Sequence, residues 1–451
     1  MRPRTDSLLD TIAALATPVG RSAIALLRVS GKDACPILSA VVETTQALEP
    51  RRPSLVCFLD QMGEPIDRGL ATFFPGPASA TGEDVAELSV HGSPVVVQRL
   101  LSALVAAGAR LAQPGEFTLR AFLSGKIDLV EAEAIRDLIE ARTPMAARAS
   151  MRRLQGKLSE RLASIRDDLL AAAAQLAATI DFAEDVGEKV SPESIERLES
   201  GERQLAFLSA TYETGRLLSA GCRVALLGRP NVGKSTLFNA LVGDARAIVT
   251  EVAGTTRDTI EATIDIQGVP VTLIDTAGLR PTADLVERIG VERAREAGEA
   301  ADALLYVFDA SQEWSPQDSE AVASFDGKPV TLVANKIDRL GASPAPERGL
   351  PICGLSADTG GKLRGALAEV LASRITTDSS SEVLGSLRQK DLVERARSSA
   401  SAALAALGRG DSPEYAATHV DASIAALADL VGETTSEDVL QRIFSTFCIG
   451  K

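Results

Sequence analysis

The chain is poor in the residues that build zinc centres, disulfide frameworks and membrane spans. Its 451 residues include only five cysteines and two histidines, and no two cysteines form a CxxC pair. This composition argues against structural zinc and favours a reducing compartment. The sequence has no run of about eighteen apolar residues, and its N-terminus lacks a signal-peptide core. We therefore expect a cytoplasmic protein without a membrane segment.

Positive charge is also scarce. The chain has 47 Lys and Arg against 61 Asp and Glu, a formal net charge of −14. Because binding to a phosphate backbone depends on clustered Lys and Arg, this balance argues against a broad nucleic-acid-binding surface. Any such contact is expected to be local or shared with a partner protein. The length is sufficient for two or three domains.

A complete phosphate-binding loop occupies residues 228–235, with the sequence Gly-Arg-Pro-Asn-Val-Gly-Lys-Ser. An apolar run before it predicts a buried strand, and the apolar spacing after it predicts a helix. Glycines let the backbone N–H groups point at a β-phosphate, while the helix N-terminus adds positive potential. Lys234 can then reach the β- and γ-phosphates, and the Ser235 hydroxyl can bind Mg²⁺. The chain is predicted to bind a nucleoside triphosphate.

Asp338 identifies the base as guanine. It ends the tetrapeptide Asn335-Lys-Ile-Asp338, which follows the strand-like run 329–334. A carboxylate there can accept hydrogen bonds from both the N1–H and the exocyclic amine of guanine. Adenine lacks that pair of donors, so a buried Asp338 would be left unpaired and adenine would be rejected.

Three further segments complete the pattern of a GTPase. Residues 271–278 predict a strand that ends in Asp275-Thr-Ala-Gly278, where Asp275 would hold Mg²⁺ through water and the Gly278 N–H would sense the γ-phosphate. Residues 250–258 are the candidate switch loop, in which Thr256 would complete the Mg²⁺ shell. Ser356 and Ala357 resemble the fifth guanine-contacting loop of GTPases, although Asp358 stands where many carry a lysine.

The predicted GTP-binding residues from these segments are Asn231, Val232, Gly233, Lys234, Ser235, Thr236, Thr250, Glu251, Val252, Ala253, Gly254, Thr255, Thr256, Asp275, Thr276, Ala277, Gly278, Asn335, Lys336, Asp338, Ser356 and Ala357.

One side chain that Ras-like GTPases use for hydrolysis is missing from this pattern. Leu279 stands where Ras-like enzymes carry the glutamine that orients the attacking water. Hydrolysis must therefore be slow, depend on a partner, or use a residue from elsewhere in the chain.

The motif Gly254-Thr-Thr-Arg-Asp258, together with Asn231, resembles the potassium-activated GTPases and specifically the tRNA-modifying MnmE (TrmE) family. The resemblance implies a K⁺ ion in place of an arginine finger, where it would offset charge developing between the β- and γ-phosphates. Its implied ligands are Asn231, Thr250, Val252 and Thr255. The family also positions the attacking water through a downstream glutamate, here Glu287. From spacing alone, Glu287 would be interpreted as a solvated residue on a helix.

The flanking segments carry the same resemblance. Residues 447–451, Phe-Cys-Ile-Gly-Lys, match the terminal C-[ILV]-G-K motif of the family. Segments near the start match as well, namely 10–18, 24–31, 81–88, 91–94 and 114–122. The similarity therefore runs nearly end to end.

The composition and apolar spacing of the sequence change along the chain, which predicts a multidomain protein. Residues 1–123 mix short apolar runs with Gly and Pro and predict an α+β domain. Residues 124–217 and 376–451 are helical in pattern, with Leu158, Leu162, Ile165, Leu169, Leu176 and Ile180 on one face of the first part and Ile424, Leu427, Leu430 and Val431 on one face of the second. Between them, 218–375 forms an α/β P-loop (Ras-like) GTPase domain. Packing the two helical parts together would bury both apolar stripes, so the GTPase domain is interpreted as an insertion in a discontinuous helical domain.

The first domain shows no nucleophile paired with a base, and its lone His91 is more often structural than catalytic in such a setting. The resemblance implies a tetrahydrofolate-binding fold, which also mediates homodimerisation, with Arg28, Glu87, Lys126 and Lys451 as folate contacts. Without the resemblance each of these would be interpreted as a surface charge. The folate would be a 5-formyl or methylene derivative. Cys448 would be either a participant in catalysis or a bystander beside the folate.

The resemblance implies a GTPase that works on tRNA with the flavoprotein MnmG (GidA), in a heterotetrameric-type complex. Together they would add a carboxymethylaminomethyl-type group at C5 of the wobble uridine, with K⁺-stimulated hydrolysis coupled to dimerisation of the GTPase domains. Two alternatives share the GTPase core: a ribosome-assembly or RNA-chaperone GTPase, and a signalling switch without chemistry. The first should carry a basic RNA-binding module, which the acidic composition disfavours.

Overall fold

The computed structural model describes residues 10–44, 48–181, 190–243, 260–276, 294–340, 348–375 and 382–450. The chain divides into two compact units, one of residues 1–136 with 424–451 and the other of residues 137–423. None of the helices in the described ranges is long and apolar enough to cross a bilayer.

The strands are β1 (Ile12–Leu15), β2 (Ile24–Ser30), β3 (Val42–Glu43), β4 (Ser54–Leu59), β5 (Pro65–Phe74), β6 (Val85–His91), β7 (Arg110–Leu111), β8 (Cys222–Leu227), β9 (Ile260–Ile266), β10 (Val269–Asp275), β11 (Ala303–Asp309), β12 (Val330–Asn335) and β13 (Leu350–Pro351). The helices are α1 (Ala34–Ala40), α2 (Pro94–Ala106), α3 (Glu116–Leu123), α4 (Leu129–Glu140), α5 (Pro144–Leu154), α6 (Lys157–Asp181), α7 (Pro192–Ala210), α8 (Tyr212–Ser219), α9 (Lys234–Gly243), α10 (Pro316–Ala323), α11 (Thr359–Ala372), α12 (Leu387–Arg409), α13 (Pro413–Val431) and α14 (Glu437–Phe444). Residues 294–300 are also helical.

The first unit is built on a seven-stranded sheet in the order β3-β4-β5-β6-β2-β1-β7. Neighbouring strands are antiparallel except for β1 and β7. Along β2 the side chains from Ala25 to Val29 alternate between buried and half-buried, which is the pattern of a sheet with one face on the core. The buried side chains pack with Leu38 of α1 and Leu100 and Leu104 of α2. The predicted α+β character of this region is confirmed.

The second unit contains a six-stranded sheet in the order β13-β12-β11-β8-β10-β9. All neighbours are parallel except β9, which is antiparallel to β10. Every residue of β11 is buried, as expected for a central parallel strand covered on both faces. In β12, by contrast, only the last three residues are buried, so the predicted buried strand is half-buried over its first half. The carboxyl ends of β8, β10, β11 and β12 share one edge, where a parallel sheet places its ligand site.

The predicted helical face of α6 is confirmed with one exception. Leu158, Leu162, Ile165, Leu169 and Leu176 are buried, but Thr179 rather than Ile180 takes the last buried position. In α13, Leu427 and Leu430 are buried, whereas Ile424 and Val431 are half-buried. Helix α7 contacts both α6 and α12, so helices from before and after the six-stranded sheet pack together.

Candidate functional site

The phosphate loop has the predicted context of strand, loop and helix, because β8 ends at Leu227 and α9 begins at Lys234. Gly228 has φ +138°, and a Cβ there would lie 2.0 Å from the carbonyl oxygen of Val307. Gly233 has φ +102°, and a Cβ would lie 2.3 Å from Nδ2 of Asn335. Both positions therefore require glycine for conformation and for space.

Lys234, the seventh residue of the phosphate loop, has a buried side chain. Its Nζ donates hydrogen bonds to the carbonyl oxygens of Gly228 at 2.8 Å and Arg229 at 2.9 Å. Burial lowers the pKa of the Lys234 amine, and the nearby Asp275 opposes that change. Asp275 itself is buried at the end of β10, and the Thr276 hydroxyl donates to the carbonyl oxygen of Leu226 at 2.8 Å. The loop, β8 and the end of β10 thus form one connected site.

Asn335 joins the guanine motif to the phosphate loop. It is buried, its Nδ2 donates to the carbonyl oxygen of Val232 at 2.8 Å, and its Oδ1 accepts from the Gly354 N–H at 2.9 Å. A single side chain therefore links the loop after β8, the end of β12 and the segment after β13. These two bonds hold three loops together at the predicted nucleotide site.

Lys336 makes a second link to the phosphate loop. Its Nζ donates to the carbonyl oxygen of Asn231 at 2.7 Å and to Oδ2 of Asp309 at 2.8 Å. Burial alone would raise the pKa of Asp309, but hydrogen bonds from Lys336 and Ser311 outweigh it and lower that pKa. Asp309 was not among the predicted site residues, although an aspartate at the end of a buried strand on the ligand edge is the signal that could have found it.

The predicted base-contacting residues are at the surface. Asp338 lies in the short 3₁₀ helix Ile337–Leu340 and is exposed, so the assumption that it is buried is wrong for the protein by itself. Its carboxylate would lose water only under a bound base. Ser356 and Ala357 are exposed as well. The Ser356 hydroxyl donates to Asp358 at 2.6 Å, and Asp358 pairs with Lys362 at 2.8 Å.

In the first unit, two of the predicted folate contacts bind each other. Arg28 and Glu87 face one another across β2 and β6, and their side chains pair at 2.7 Å while remaining half-buried. The Arg28 guanidinium also lies over the ring of Phe117 in α3, 5.8 Å from its centroid. Lys126 is exposed, and its Nζ donates to the carbonyl oxygen of Pro77 at 3.1 Å.

Cys448 is exposed and lies beside the start of the same helix α3. Its carbonyl oxygen accepts from the Gly115 N–H at 3.4 Å, immediately before α3 begins. Gly450 has φ +88°, and a Cβ there would lie 2.3 Å from the carbonyl oxygen of Leu15. The close approach explains the glycine of the Cys-Ile-Gly motif. Helix α3 therefore joins the surroundings of Arg28 to those of Cys448.

Comparison with known proteins identifies the family. A family model described as the MnmE helical domain matches residues 129–448, and one described as the GTP-binding protein TrmE N-terminus matches residues 11–126. The tRNA modification GTPase MnmE of Aquifex aeolicus is 41% identical over 446 residues, which cover 98% of this chain and 100% of that protein. The chain belongs to the MnmE family of tRNA modification GTPases.

Other MnmE proteins are similar to the same extent. The one from Laribacter hongkongensis is 42% identical over 449 residues, covering 98% of this chain and 99% of its own. The one from Synechococcus sp. (strain JA-2-3B'a(2-13)) is 40% identical over 461 residues, covering 99% of both.

Several of the predicted site residues lie outside the described ranges, namely Thr250, Glu251, Val252, Ala253, Gly254, Thr255, Thr256, Ala277, Gly278, Glu287 and Lys451.

The first unit also contains an ionic network, buried at Arg120 and Glu116, that no sequence motif indicated. Arg120 pairs with Glu83 at 3.0 Å and with Glu116 at 3.0 Å, and Arg110 pairs with Glu116 at 2.7 Å. Burial alone would raise the pKa of Glu116, but bonds from Arg110, the Gln113 N–H and Arg120 hold it below its usual value. Helix α3 is therefore fixed at its start by charges as well as by packing.

Proposed function

We propose that this MnmE-family protein hydrolyses GTP to drive tRNA modification. With the flavoprotein MnmG (GidA), in a heterotetrameric-type complex, it adds a carboxymethylaminomethyl-type group at C5 of the wobble uridine of certain tRNAs. The observation that carries the proposal is the joint placement of two motifs: the phosphate loop 228–235 and the guanine motif 335–338 are tied together by the Asn335 and Lys336 side chains.

In the GTP site, the chain's own groups bind and orient the triphosphate. The N–H groups of the loop and the N-terminus of α9 would bind the β-phosphate, and Lys234 would exchange its bonds to Gly228 and Arg229 for phosphate oxygens. Ser235 and Asp275 offer the oxygen donors that Mg²⁺ prefers, with Thr256 as the further proposed ligand. When bound, the metal would neutralise charge on the phosphates.

A potassium site is proposed at the same loop. Asn231 is exposed with φ +62°, a backbone conformation that asparagine tolerates better than most residues, and we propose its side chain as one ligand. Thr250, Val252 and Thr255 would be the others. K⁺ would supply positive charge toward the β- and γ-phosphates. Because Leu279 cannot orient water, Glu287 is proposed to position the attacking water indirectly.

The first unit is proposed to bind a tetrahydrofolate derivative, either 5-formyl- or methylene-tetrahydrofolate, as one-carbon donor. Glu87 suits the donors of a pterin ring, while Arg28, Lys126 and Lys451 suit carboxylates of a glutamyl tail. The half-buried Arg28–Glu87 pair supports this, since each partner keeps some access to solvent. Cys448 is proposed either to take part in the modification or to stand beside the folate.

The domain arrangement is proposed to be 1–123, 124–217, 218–375 and 376–451, with the GTPase domain inserted in the helical one. The packing of α7 on both α6 and α12 supports the insertion. The protein would be a cytoplasmic homodimer whose GTPase domains approach each other during hydrolysis.

Ligand binding to the purified full-length protein tests this function. Isothermal titration with 5-formyltetrahydrofolate should give a saturable heat, which Glu87→Ala should abolish while GDP binding is kept. A protein that binds GDP but no folate would favour the signalling alternative. Binding of unmodified structured RNA without regard to its anticodon would favour the RNA-chaperone alternative.

A further inference from the structure

The phosphate loop is held on its flank by two buried carboxylates that belong to neither nucleotide motif. Asp309 is the last residue of β11, and Asp318 lies in the first turn of α10. The short connection 310–315 joins β11 to α10, so the two carboxylates lie close together in sequence beside the ligand edge of the sheet. Each reaches the loop through one cationic side chain.

Asp318 holds the loop through Arg229. Its Oδ1 accepts from the Tyr306 hydroxyl at 2.8 Å and pairs with Nε of Arg229 at 3.2 Å. Its Oδ2 accepts from the N–H of Ser315 at 2.9 Å and from the hydroxyl of Ser315 at 2.7 Å. With partners on both oxygens, the carboxylate cannot turn without losing hydrogen bonds. Arg229, the second residue of the loop, is therefore attached to a fixed charge.

Asp309 holds the loop through Lys336. Its Oδ1 accepts from the N–H of Ser311 at 3.0 Å and from the Ser311 hydroxyl at 2.7 Å, which leaves Oδ2 directed at Lys336. The Lys336 ammonium then donates to the carbonyl oxygen of Asn231 at 2.7 Å. Asn231 has φ +62°, so this bond supports a non-glycine residue of the loop in the left-handed region, which such residues seldom adopt.

The two attachments lie on either side of Pro230, at Arg229 and Asn231. The directions of the loop N–H groups follow from the backbone angles over these residues, and phosphate affinity depends on those directions. A loop that is already fixed loses less conformational entropy when the phosphates bind. We propose that Asp309 and Asp318 are positioning residues for GTP: through Lys336 and Arg229 they hold the phosphate loop in its binding conformation before the nucleotide arrives. The proposal rests on the assignment of the loop as the GTP site.

Two substitutions test this in the full-length protein, Arg229→Gln and Asp309→Asn. Each removes one attachment without touching a group that we place against the phosphates. The dissociation constants for GDP and a non-hydrolysable GTP analogue, and the KM for GTP, should each rise about tenfold, the effect of losing one charged hydrogen bond. The kcat should stay within about twofold, because the attachment acts equally on bound substrate and transition state. Hydrogen exchange should become faster in residues 228–235 and stay unchanged in β8.

Three further variants separate positioning from general stability. Arg229→Lys keeps the charge and should restore affinity to within about threefold of wild type. The double variant Arg229→Gln/Asp318→Asn should bind GDP no more weakly than the weaker-binding of the two single variants, since both substitutions remove the same contact. Arg223→Gln breaks the exposed pair with Glu261 at the other end of β8 and should bind GDP normally.

Wild-type affinity in both Arg229→Gln and Asp309→Asn would overturn the proposal. So would an affinity loss in Arg223→Gln as large as theirs, or faster exchange spread evenly over β8 and α9, because either would mean general loosening of the domain. If the wild-type protein itself binds no guanine nucleotide, the proposed function fails rather than this inference.

Discussion

At the scale of single residues, the chemistry of the GTP site follows from backbone geometry as much as from side chains. Gly228 and Gly233 are required because neither position has room for a Cβ. Asn335 and Lys336 belong to the guanine motif, and each donates a hydrogen bond to a carbonyl oxygen of the phosphate loop. Asn335 also accepts from the Gly354 N–H, and Lys336 also donates to Asp309. Of the guanine motif, Asp338 is left as the exposed group that can read the base.

Asp338 gives a prediction about base specificity. Asp338→Asn should weaken GTP binding by about 3 kcal/mol, roughly a hundredfold, because two hydrogen bonds to a carboxylate are lost. The asparagine amide can instead donate to the second carbonyl of xanthine, so xanthosine triphosphate should bind better than GTP. Competition titrations with a fluorescent nucleotide measure both. Unchanged GTP affinity would show that Asp338 does not contact the base.

Glu116 gives a prediction about pH. Its folded pKa is held below the ordinary 4.5 by Arg110, the Gln113 N–H and Arg120, against the effect of burial. The carboxylate therefore adds stability above that ordinary pKa, and the contribution is lost as pH falls through the lower, folded pKa.

The substitution Glu116→Gln should lower the stability of the first unit at pH 7 by about 3 kcal/mol, because Arg120 keeps its charge in a buried site. Between pH 7 and about pH 3, which lies well below the ordinary pKa of this carboxyl, the variant should however lose less stability than wild type. Calorimetric scans at the two pH values test this. A parallel loss in both proteins would contradict the role given to Glu116.

The contacts at the predicted GTP site were harder to predict from the sequence than its motifs. Lys234 and Asp275, both predicted to bind GTP, lie near the same edge of the six-stranded sheet because β8 and β10 are parallel. Asp309 and Asp318 were missed because a carboxylate becomes part of a site only through partners distant in sequence, here Lys336 and Arg229. The burial of Asp338 was misjudged for a related reason, since periodicity describes strands but not the short helix that follows one.

At the scale of helices and strands, the long amphipathic elements were predictable and the short ones were not. Helix α6 presents the predicted face, with Thr179 replacing Ile180 only in the last turn, where helix ends commonly deviate. The strands β3, β7 and β13 have two residues each, too few to show any period. They are defined by pairing with neighbours instead.

Helix α5 makes a contact with the GTPase sheet that no sequence pattern indicated. The Thr143 hydroxyl caps α5 by accepting from the Ala146 N–H, and it donates to the carbonyl oxygen of Gly268 at 2.6 Å. Gly268 lies in the turn between β9 and β10, against the side chain of Met145. Helix α5 therefore holds the β9–β10 hairpin at its turn, which is the end farther from Asp275.

Removing the Thr143 hydroxyl should release this turn. Thr143→Val should cost about 1–2 kcal/mol locally, which corresponds to roughly tenfold faster hydrogen exchange at the start of α5 and in the β9–β10 turn. Thr143→Ser keeps the hydroxyl and should exchange like wild type. Equal exchange in all three proteins would mean that the cap does not hold the turn.

At the scale of the whole molecule, membership of the MnmE family identifies a tRNA modification GTPase. The acidic chain, with a net charge of −14, is consistent with a local contact to tRNA or one shared with a partner. In the first unit, residues near Cys448 pack on Leu15 and Gly115, so segments far apart in the sequence lie together there. Sequence periodicity did not indicate this contact.

The proposed cation requirement would be a property of the assembled GTPase. If K⁺ takes the place of an arginine finger, GTP turnover should be at least about tenfold faster in KCl than in NaCl at equal ionic strength. Asn231→Ala should remove the difference while GDP binding is retained. Similar turnover in the two salts would exclude the potassium site.

The central claim concerns tRNA and is tested most directly in cells. Mass spectrometry of tRNA digests should detect the carboxymethylaminomethyl-type group at wobble uridines in cells carrying this protein. The group should be lost when the gene is deleted, return with the wild-type gene, and not return with Lys234→Ala, which keeps the fold but loses the phosphate contact. Wobble uridines that are modified to the same degree in all four strains would contradict the account.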